Sequence, residues 1–134
     1  MNDSTASAAG TPRRVLITGG TGFLGSHTAL ALLGAGREVV LMDNLDNSRP
    51  DVADQVAAIA GARPRLVVAD VRDRAAVAAV LRAERIDAVI HFAGRKSVTD
   101  SVADPLPYFD HNVGGSLALL AAMRDAGVRS LVFS

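Results

Sequence analysis

The run TGGTGFLG at residues 18–25 decides the fold of this chain. It lies between an apolar run at 15–17 and a segment of helical character that begins at residue 26. A glycine turn from a strand into a helix leaves backbone N–H groups unpaired at the positive end of the helix dipole, which suits a diphosphate. We therefore interpret Gly19 as the turn, Gly22 as the point where a diphosphate comes close, and Gly25 as the contact between helix and strand.

The second strand supports this interpretation of the glycine loop. A glycine-rich turn between any strand and helix would look similar, so the glycine loop alone is weak evidence for a diphosphate site. The next apolar run, residues 38–42, ends at Asp43. Dinucleotide-binding folds hydrogen-bond the adenosine ribose through an acidic side chain at this point. Because a carboxylate repels a 2′-phosphate and no arginine stands at 44–47, the sequence favours NAD over NADP as cofactor.

The composition indicates one domain with an aliphatic core. Of 134 residues, 49% are hydrophobic but only 4% are aromatic, which is typical of a buried parallel sheet under alanine-rich helices. Fourteen basic residues balance fourteen acidic ones, so neither a nucleic acid nor a membrane surface is predicted as partner. The chain has no cysteine, which excludes disulfides and thiolate metal sites within it.

The first twelve residues are small and polar, and we expect residues 1–12 to form a flexible tail ahead of a domain at 13–134. They do not resemble a signal peptide, and no apolar run is long enough to span a bilayer. The sequence therefore predicts a soluble, cytoplasmic protein.

Strands alternate with helices along the rest of the chain, which predicts an α/β fold. This order is typical of a Rossmann-type, doubly wound parallel sheet, here with five strands in the order 3-2-1-4-5. We see no internal repeat and no domain boundary. The predicted strands are 13–18, 38–42, 65–69, 87–92 and one that begins at 128 or 129. The predicted helices are 23–35, 51–60, one that is capped by Asp73, and one long helix from Pro105 to Gly127. A loop is predicted at 95–104, before the long helix.

Several polar residues allow two interpretations. Asp70, at the end of strand three, either accepts a hydrogen bond from an adenine amino group or caps a helix. Lys96, the only lysine, either reaches a phosphate or ribose or is an ordinary surface residue. His91 is predicted to be a hydrogen-bonded core histidine, and the three scattered histidines predict no metal site. The pair Gly114–Gly115 inside a helix suggests close approach of another backbone or of the cofactor.

Together these motifs resemble the extended short-chain dehydrogenase/reductase family, and within it the UDP-glucose 4-epimerases. Residues 18–28 resemble the phosphate loop of the family, 43–48 the adenosine loop and 70–71 the adenine clamp. Residues 91–98 (HFAGRKSV) resemble the strand-four signature, and 105–115 the helix after it. The resemblance covers nearly all of the chain after residue 12.

The resemblance implies a set of cofactor-contacting positions. Phe23 and Leu24 would contribute backbone N–H groups, whereas histidine at 111 replaces an asparagine that is common in these epimerases. The predicted NAD-binding residues are Gly19, Gly22, Phe23, Leu24, Gly25, Asp43, Asn44, Leu45, Asp46, Asn47, Ser48, Asp70, Val71, Phe92, Ala93, Gly94, Lys96 and Asn112.

The resemblance also implies the chemistry of the complete enzyme. NAD would take hydride from C4 of a UDP-sugar, and the 4-keto sugar would turn over and accept the hydride on its other face. The family uses a tyrosine four residues before a lysine as its base. Here the only tyrosine, Tyr108, is followed at that spacing by Asn112, so we predict no catalytic residue in this chain. We interpret the chain as the NAD-binding first part of an epimerase, truncated at strand five and inactive alone.

Two alternatives stay open from the sequence. The chain could belong to another nucleotide-sugar epimerase, dehydratase or decarboxylase of the same family, because the glycine loop is shared. It could also be a stand-alone NAD-binding module, although the apolar run at 131–133 would then form an uncovered sheet edge. For the complete epimerase, the resemblance implies a UDP-sugar substrate and a homodimer.

Overall fold

A computed structural model describes residues 10–134 of the chain. The predicted tail lies outside the described residues except for 10–12, which have no regular secondary structure. Five parallel strands form one sheet in the order β3-β2-β1-β4-β5, which confirms the predicted topology. The strands are β1 (Arg14–Thr18), β2 (Glu38–Asp43), β3 (Arg65–Val68), β4 (Ala88–His91) and β5 (Ser130–Phe133).

Helices connect the strands, as right-handed crossovers in a parallel sheet require. One segment in the last connection is π-helical, so the chain there turns more widely than in an α-helix. The helices are α1 (Phe23–Gly34), α2 (Val52–Ala60), α3 (Arg74–Ala83), α4 (Val98–Ala103), α5 (Leu106–Tyr108), the π-helical segment (Phe109–Gly114) and α6 (Gly115–Ala126).

The core lies on both faces of the sheet. Leu16 of β1 packs on one face with Leu81 of α3 and Leu119 of α6, and all three are almost fully buried. Its neighbour Ile17 points to the opposite face and packs with Ala29 of α1. Because successive strand residues face opposite sides, a sheet covered on both faces needs continuous apolar strands. This explains why the strands are apolar runs without polar alternation.

The predicted loop at 95–104 contains a helix, α4, which sequence reasoning missed. The hydroxyl of Ser97 accepts a hydrogen bond from the Asp100 N–H at 3.3 Å and caps this helix. None of its residues is buried, so no apolar periodicity marks it in the sequence.

The predicted single helix from Pro105 to Gly127 is also wrong in detail, because the π-helical segment interrupts it. A Cβ at Gly115 would lie 2.8 Å from Cγ1 of Val71. The close approach at this glycine is therefore to a valine side chain, and the suggested backbone contact is not observed. Gly115 allows α6 to pack directly against the turn that follows β3.

Candidate functional site

A cleft opens at the carboxyl ends of β1 to β4, where the order of strands reverses between β1 and β4. This is the position at which open α/β sheets bind ligands. The cleft holds about 660 Å³ of space, including the part open to solvent. Its lining residues are Gly19, Gly22, Met42, Asp43, Asn44, Asp46, Asn47, Ser48, Ala69, Val71, Phe92, Ala93, Gly94, Arg95 and His111.

Backbone packing fixes the glycine loop at one end of the cleft. Gly19 has a φ of +68°, and a Cβ there would lie 2.8 Å from the Ala93 nitrogen. A Cβ at Gly25 would overlap the carbonyl oxygen of Gly19 and lie 2.8 Å from Cα of Gly20. The start of α1 therefore rests on the loop itself, which corrects the predicted contact between Gly25 and the strand. A Cβ at Gly20 would meet Cβ of Leu41 at 2.7 Å, a constraint that sequence reasoning missed.

The N-terminus of α1 is open to an anion. Its N-cap residue, Gly22, makes no side-chain cap, and the first turn contains no acidic residue. A Cβ at Gly22 would touch only the carbonyl oxygen of Gly19, at 3.3 Å. The positive end of the helix dipole is therefore left uncompensated at the wall of the cleft.

Asp43 is oriented by the loops on either side of it. One carboxylate oxygen accepts from the Thr21 N–H at 3.2 Å, and the other accepts from the Leu45 N–H at 3.0 Å and the Ser48 hydroxyl at 3.2 Å. The hydroxyls of Thr21 and Ser48 lie 2.6 Å apart. These contacts fix a carboxylate beside the glycine loop, where the sequence predicts a ribose contact.

Asp70 does not cap a helix, because α3 is capped by Asp73, whose side chain accepts from the Ala76 N–H at 3.0 Å. The Asp70 carboxylate instead pairs with the Arg72 guanidinium through two hydrogen bonds of 2.8 and 2.9 Å. The hydrogen bonds from Arg72 are the main cause that holds the Asp70 pKa well below its usual range.

His91 is a hydrogen-bonded core histidine, as predicted. Its Nδ1 lies 2.6 Å from the Thr18 hydroxyl, and its Nε2 lies 3.3 Å from the hydroxyl of Ser116. Because the Ser116 hydroxyl donates to the Asn112 carbonyl oxygen, it can only accept from His91, which places the imidazole proton on Nε2. Burial, with the charges of His111 and Lys96, lowers the pKa of His91 to about 4.

The π-helical segment lines the cleft with His111, and its neighbour Asn112 lies beside the cleft. Asn112 holds the loop after β4, since it accepts from the Arg95 N–H at 2.7 Å and donates to the Arg95 carbonyl oxygen at 2.9 Å. His111 is only 7% exposed, and its Nδ1 has no hydrogen-bond partner among residues 10–134. A buried nitrogen without a partner is costly, and the residue that carries it lines the cleft.

The cleft contains most of the predicted cofactor residues. The predicted residues that do not line it are Phe23, Leu24, Gly25, Leu45, Asp70, Lys96 and Asn112. Lys96 lines neighbouring cavities on the side of α4. Four lining residues were absent from the predicted set: Met42, Ala69, Arg95 and His111. Met42, Ala69 and Arg95 each adjoin a predicted residue in the sequence, so widening each strand-end motif by one position would have found them.

The fold and the cleft define a Rossmann-type α/β domain with a nucleotide-type site at the carboxyl edge of its sheet. The sequence matches the family described as "NAD dependent epimerase/dehydratase family" over residues 15–134. The chain belongs to this family.

Individual relatives are epimerases. The chain is 50% identical over 132 residues to UDP-glucose 4-epimerase 4 of Oryza sativa subsp. japonica, covering 96% of this chain and 36% of the relative. It is similar to the crystal structure of the Stenotrophomonas maltophila UDP-glucose 4-epimerase with bound NAD and formylated UDP-arabinopyranose (TM-score 0.89, 50% identity, 90% of this chain and 36% of that one). The Bifidobacterium longum UDP-glucose 4-epimerase with NAD⁺ and UDP superposes with a TM-score of 0.88 at 42% identity, over 90% of this chain and 36% of that one.

The chain thus spans little more than a third of the length of these relatives. Within residues 10–134, none of the helices combines the length and the apolarity needed to cross a membrane.

Proposed function

We propose that the cleft at the ends of β1 to β4 binds NAD. The single observation that carries this proposal is the open N-terminus of α1, whose N-cap residue Gly22 makes no side-chain cap and lines the cleft. The residues present fit the cofactor, because the open N-terminus of α1 suits a diphosphate and the fixed carboxylate of Asp43 suits a ribose diol. When bound, NAD supplies the acceptor and donor of a hydride.

The residues of this chain would bind and orient the cofactor. Gly22 leaves room for the diphosphate, and Asp43 accepts hydrogen bonds from the adenosine ribose and repels a 2′-phosphate. The Val71 N–H, which has no partner in the described part of the chain, is available to a ring nitrogen of adenine. The small residues Ala93 and Gly94 leave space above the sheet beyond β4.

Calorimetric titration of the protein that carries this chain tests the proposal. We expect NAD to bind at least about tenfold more tightly than NADP, and Asp43→Asn to narrow that ratio because the repulsive charge is removed. Asp51→Asn is the matched control, since Asp51 stands at the N-cap position of α2 without capping it, lies outside the cleft and pairs with Arg49. Absence of NAD binding by the wild-type protein would contradict the proposal.

We further propose that the complete protein is a UDP-glucose 4-epimerase, which interconverts UDP-galactose and UDP-glucose through a 4-keto sugar. The named relatives support this reaction. In this chain, Tyr108 has Asn112 at the spacing where the family has lysine, so we propose that residues 1–134 alone are inactive. Turnover of UDP-galactose by the 134-residue chain would contradict its inactivity. A preference of the complete protein for another nucleotide sugar would contradict the assignment of the substrate.

An apolar stripe supports a homodimer of the complete protein. The stripe runs along the last connection at spacings of three or four residues, so it lies on one side of a nearly continuous helix. A two-fold axis would bury the stripe of one copy against that of a second copy. Its members are all at least half exposed: Leu106, Phe109, Val113, Leu117 and Leu120.

Sedimentation equilibrium tests this interface. We expect Leu117→Asp to convert the dimer into a monomer, because a charge on each copy would face the apolar stripe of the other. Val68→Asp is the matched control, since Val68 on β3 has the same exposed fraction, 62%, and lies away from the stripe. A dimer that survives Leu117→Asp would contradict the proposed interface. The cytoplasmic location stays a prediction.

A further inference from the structure

An ion pair joins two loops on opposite sides of the cleft. Nη2 of Arg95 lies 3.8 Å from Oδ2 of Asp46, and both residues line the cleft. Asp46 belongs to the loop after β2, and Arg95 belongs to the loop after β4. Because β1 lies between β2 and β4 in the sheet, a contact between these two loops spans the carboxyl end of β1, where the glycine loop begins.

Each partner of this ion pair is anchored on its own side of the cleft. Asn44 orients Asp46 at two points, since its Oδ1 accepts from the Asp46 N–H at 3.1 Å and its Nδ2 donates to Oδ2 of Asp46 at 3.2 Å. On the other side, two hydrogen bonds with Asn112 fix the backbone from which the Arg95 side chain extends. Anchoring on both sides reduces the conformational entropy that is lost when the two side chains pair.

The ion pair is also exposed enough to open. The side chains of Asp46 and Arg95 are 52% and 38% exposed, which places the contact towards solvent and away from the floor of the cleft. An ion pair that water reaches is weak, because each charge keeps part of its hydration when the contact breaks. The two loops can therefore separate and rejoin at this point without a change in the buried core.

We propose that Arg95 and Asp46 form a strap that closes over the cofactor and limits the rates at which it enters and leaves the cleft. This inference rests on the proposed function, NAD binding in the cleft. A dinucleotide that extends from Asp43 on the β2 side towards β4 passes the end of β1, which the strap spans. The strap therefore has to open for entry and for exit. Because the two side chains can pair before and after binding, the strap slows both steps by a similar factor and leaves the dissociation constant nearly unchanged.

Stopped-flow measurements on the complete protein with NADH, whose reduced nicotinamide fluoresces, test the strap. We expect Asp46→Asn to raise the rates of entry and exit together by about two- to fivefold, the range of a partly exposed ion pair, and to change the dissociation constant by less than about twofold. Charge repulsion alone predicts the opposite sign for exit, because removing a carboxylate near an anionic diphosphate tightens binding and slows exit. Slower or unchanged exit of NADH from Asp46→Asn would therefore overturn the proposal.

The reversed pair, Asp46→Arg combined with Arg95→Asp, is the second test. It keeps the net charge of the cleft and restores an ion pair between the loops, so both rates should return to within about twofold of the wild-type values. Asp54→Asn is the matched control, because Asp54 is 60% exposed, pairs with Arg63 and does not line the cleft. It should leave both rates unchanged. Equal acceleration in Asp54→Asn and Asp46→Asn, or fast exchange that persists in the reversed pair, would also overturn the proposal. If the wild-type protein binds neither NADH nor NAD, the proposed function itself fails.

Discussion

The two sides of the cleft are built in different ways. On the side of β1, the loop at 19–25 is fixed by backbone atoms in contact, and added Cβ atoms at three of its glycines would meet protein atoms at less than 3.0 Å. On the side of β4, the loop after the strand is held by side chains. Asn112 forms two hydrogen bonds with the backbone of Arg95, and Ser97 caps α4.

This difference predicts different consequences of mutation. Backbone-to-backbone contacts cannot relax by rotating a side chain, so substitutions in the glycine loop should affect the whole fold. Side-chain hydrogen bonds are worth about 1 kcal/mol each and act locally. Substitutions on the β1 side should therefore reduce the stability of the whole fold most, whereas those on the β4 side should cost less and change mainly the loop beside the cleft.

The largest effect is expected for Gly25→Ala. The added Cβ would overlap the Gly19 carbonyl oxygen, and the start of α1 would have to move away from the loop. We expect a loss of about 3 kcal/mol or more in the free energy of unfolding, measured by urea denaturation. Gly34→Ala in the same helix is the control, because a Cβ there meets nothing within 4 Å, and it should stabilise the protein by up to about 1 kcal/mol. Equal effects of the two substitutions would contradict the account of the glycine loop.

Protonation of His91 is expected to lower the free energy of unfolding by a smaller amount. This residue of β4 lies between the two sides of the cleft, where it contacts Thr18 of β1 and Ser116 of α6. Burial lowers its pKa from 6.5 to about 4, so the unfolded chain takes up the proton first as the pH falls. The stability contribution is complete above pH 6.5 and decreases towards pH 4, by about 3 kcal/mol at most. Unfolding free energies measured across this range should fall less steeply in His91→Asn. Identical slopes for the variant and the wild type would contradict the assignment of a neutral, buried imidazole.

The smallest effect is expected for Asn112→Asp. The carboxylate would still accept from the Arg95 N–H, but it would place an oxygen against the Arg95 carbonyl oxygen in place of a donor. We expect a loss of about 2 kcal/mol and faster hydrogen exchange at residues 94–97, with α1 unaffected. If hydrogen exchange accelerates equally in α1 and in this loop, the side-chain contacts on the β4 side do not act locally, and the difference between the two sides of the cleft is contradicted.

The sequence predicts the β1 side better than the β4 side, for a physical reason. Local patterns in the sequence predict three features of the β1 side: the strand order, the turn at Gly19 and the acid at Asp43. Each pattern lies within a few residues of the end of a strand or the start of a helix. The Gly20 contact with Leu41 joins distant parts of the chain, and no local pattern marks it. The same holds for the π-helical segment and for the His111 nitrogen that has no partner among residues 10–134, because both positions depend on packing between elements.

A crystal structure of the protein grown with NAD would test the central claim most directly. The account predicts the diphosphate at the N-terminus of α1, the adenosine ribose on Asp43 and a polar ligand atom within hydrogen-bond distance of His111. NAD bound elsewhere, or an imidazole of His111 still without a partner in a cleft that holds the cofactor, would contradict it.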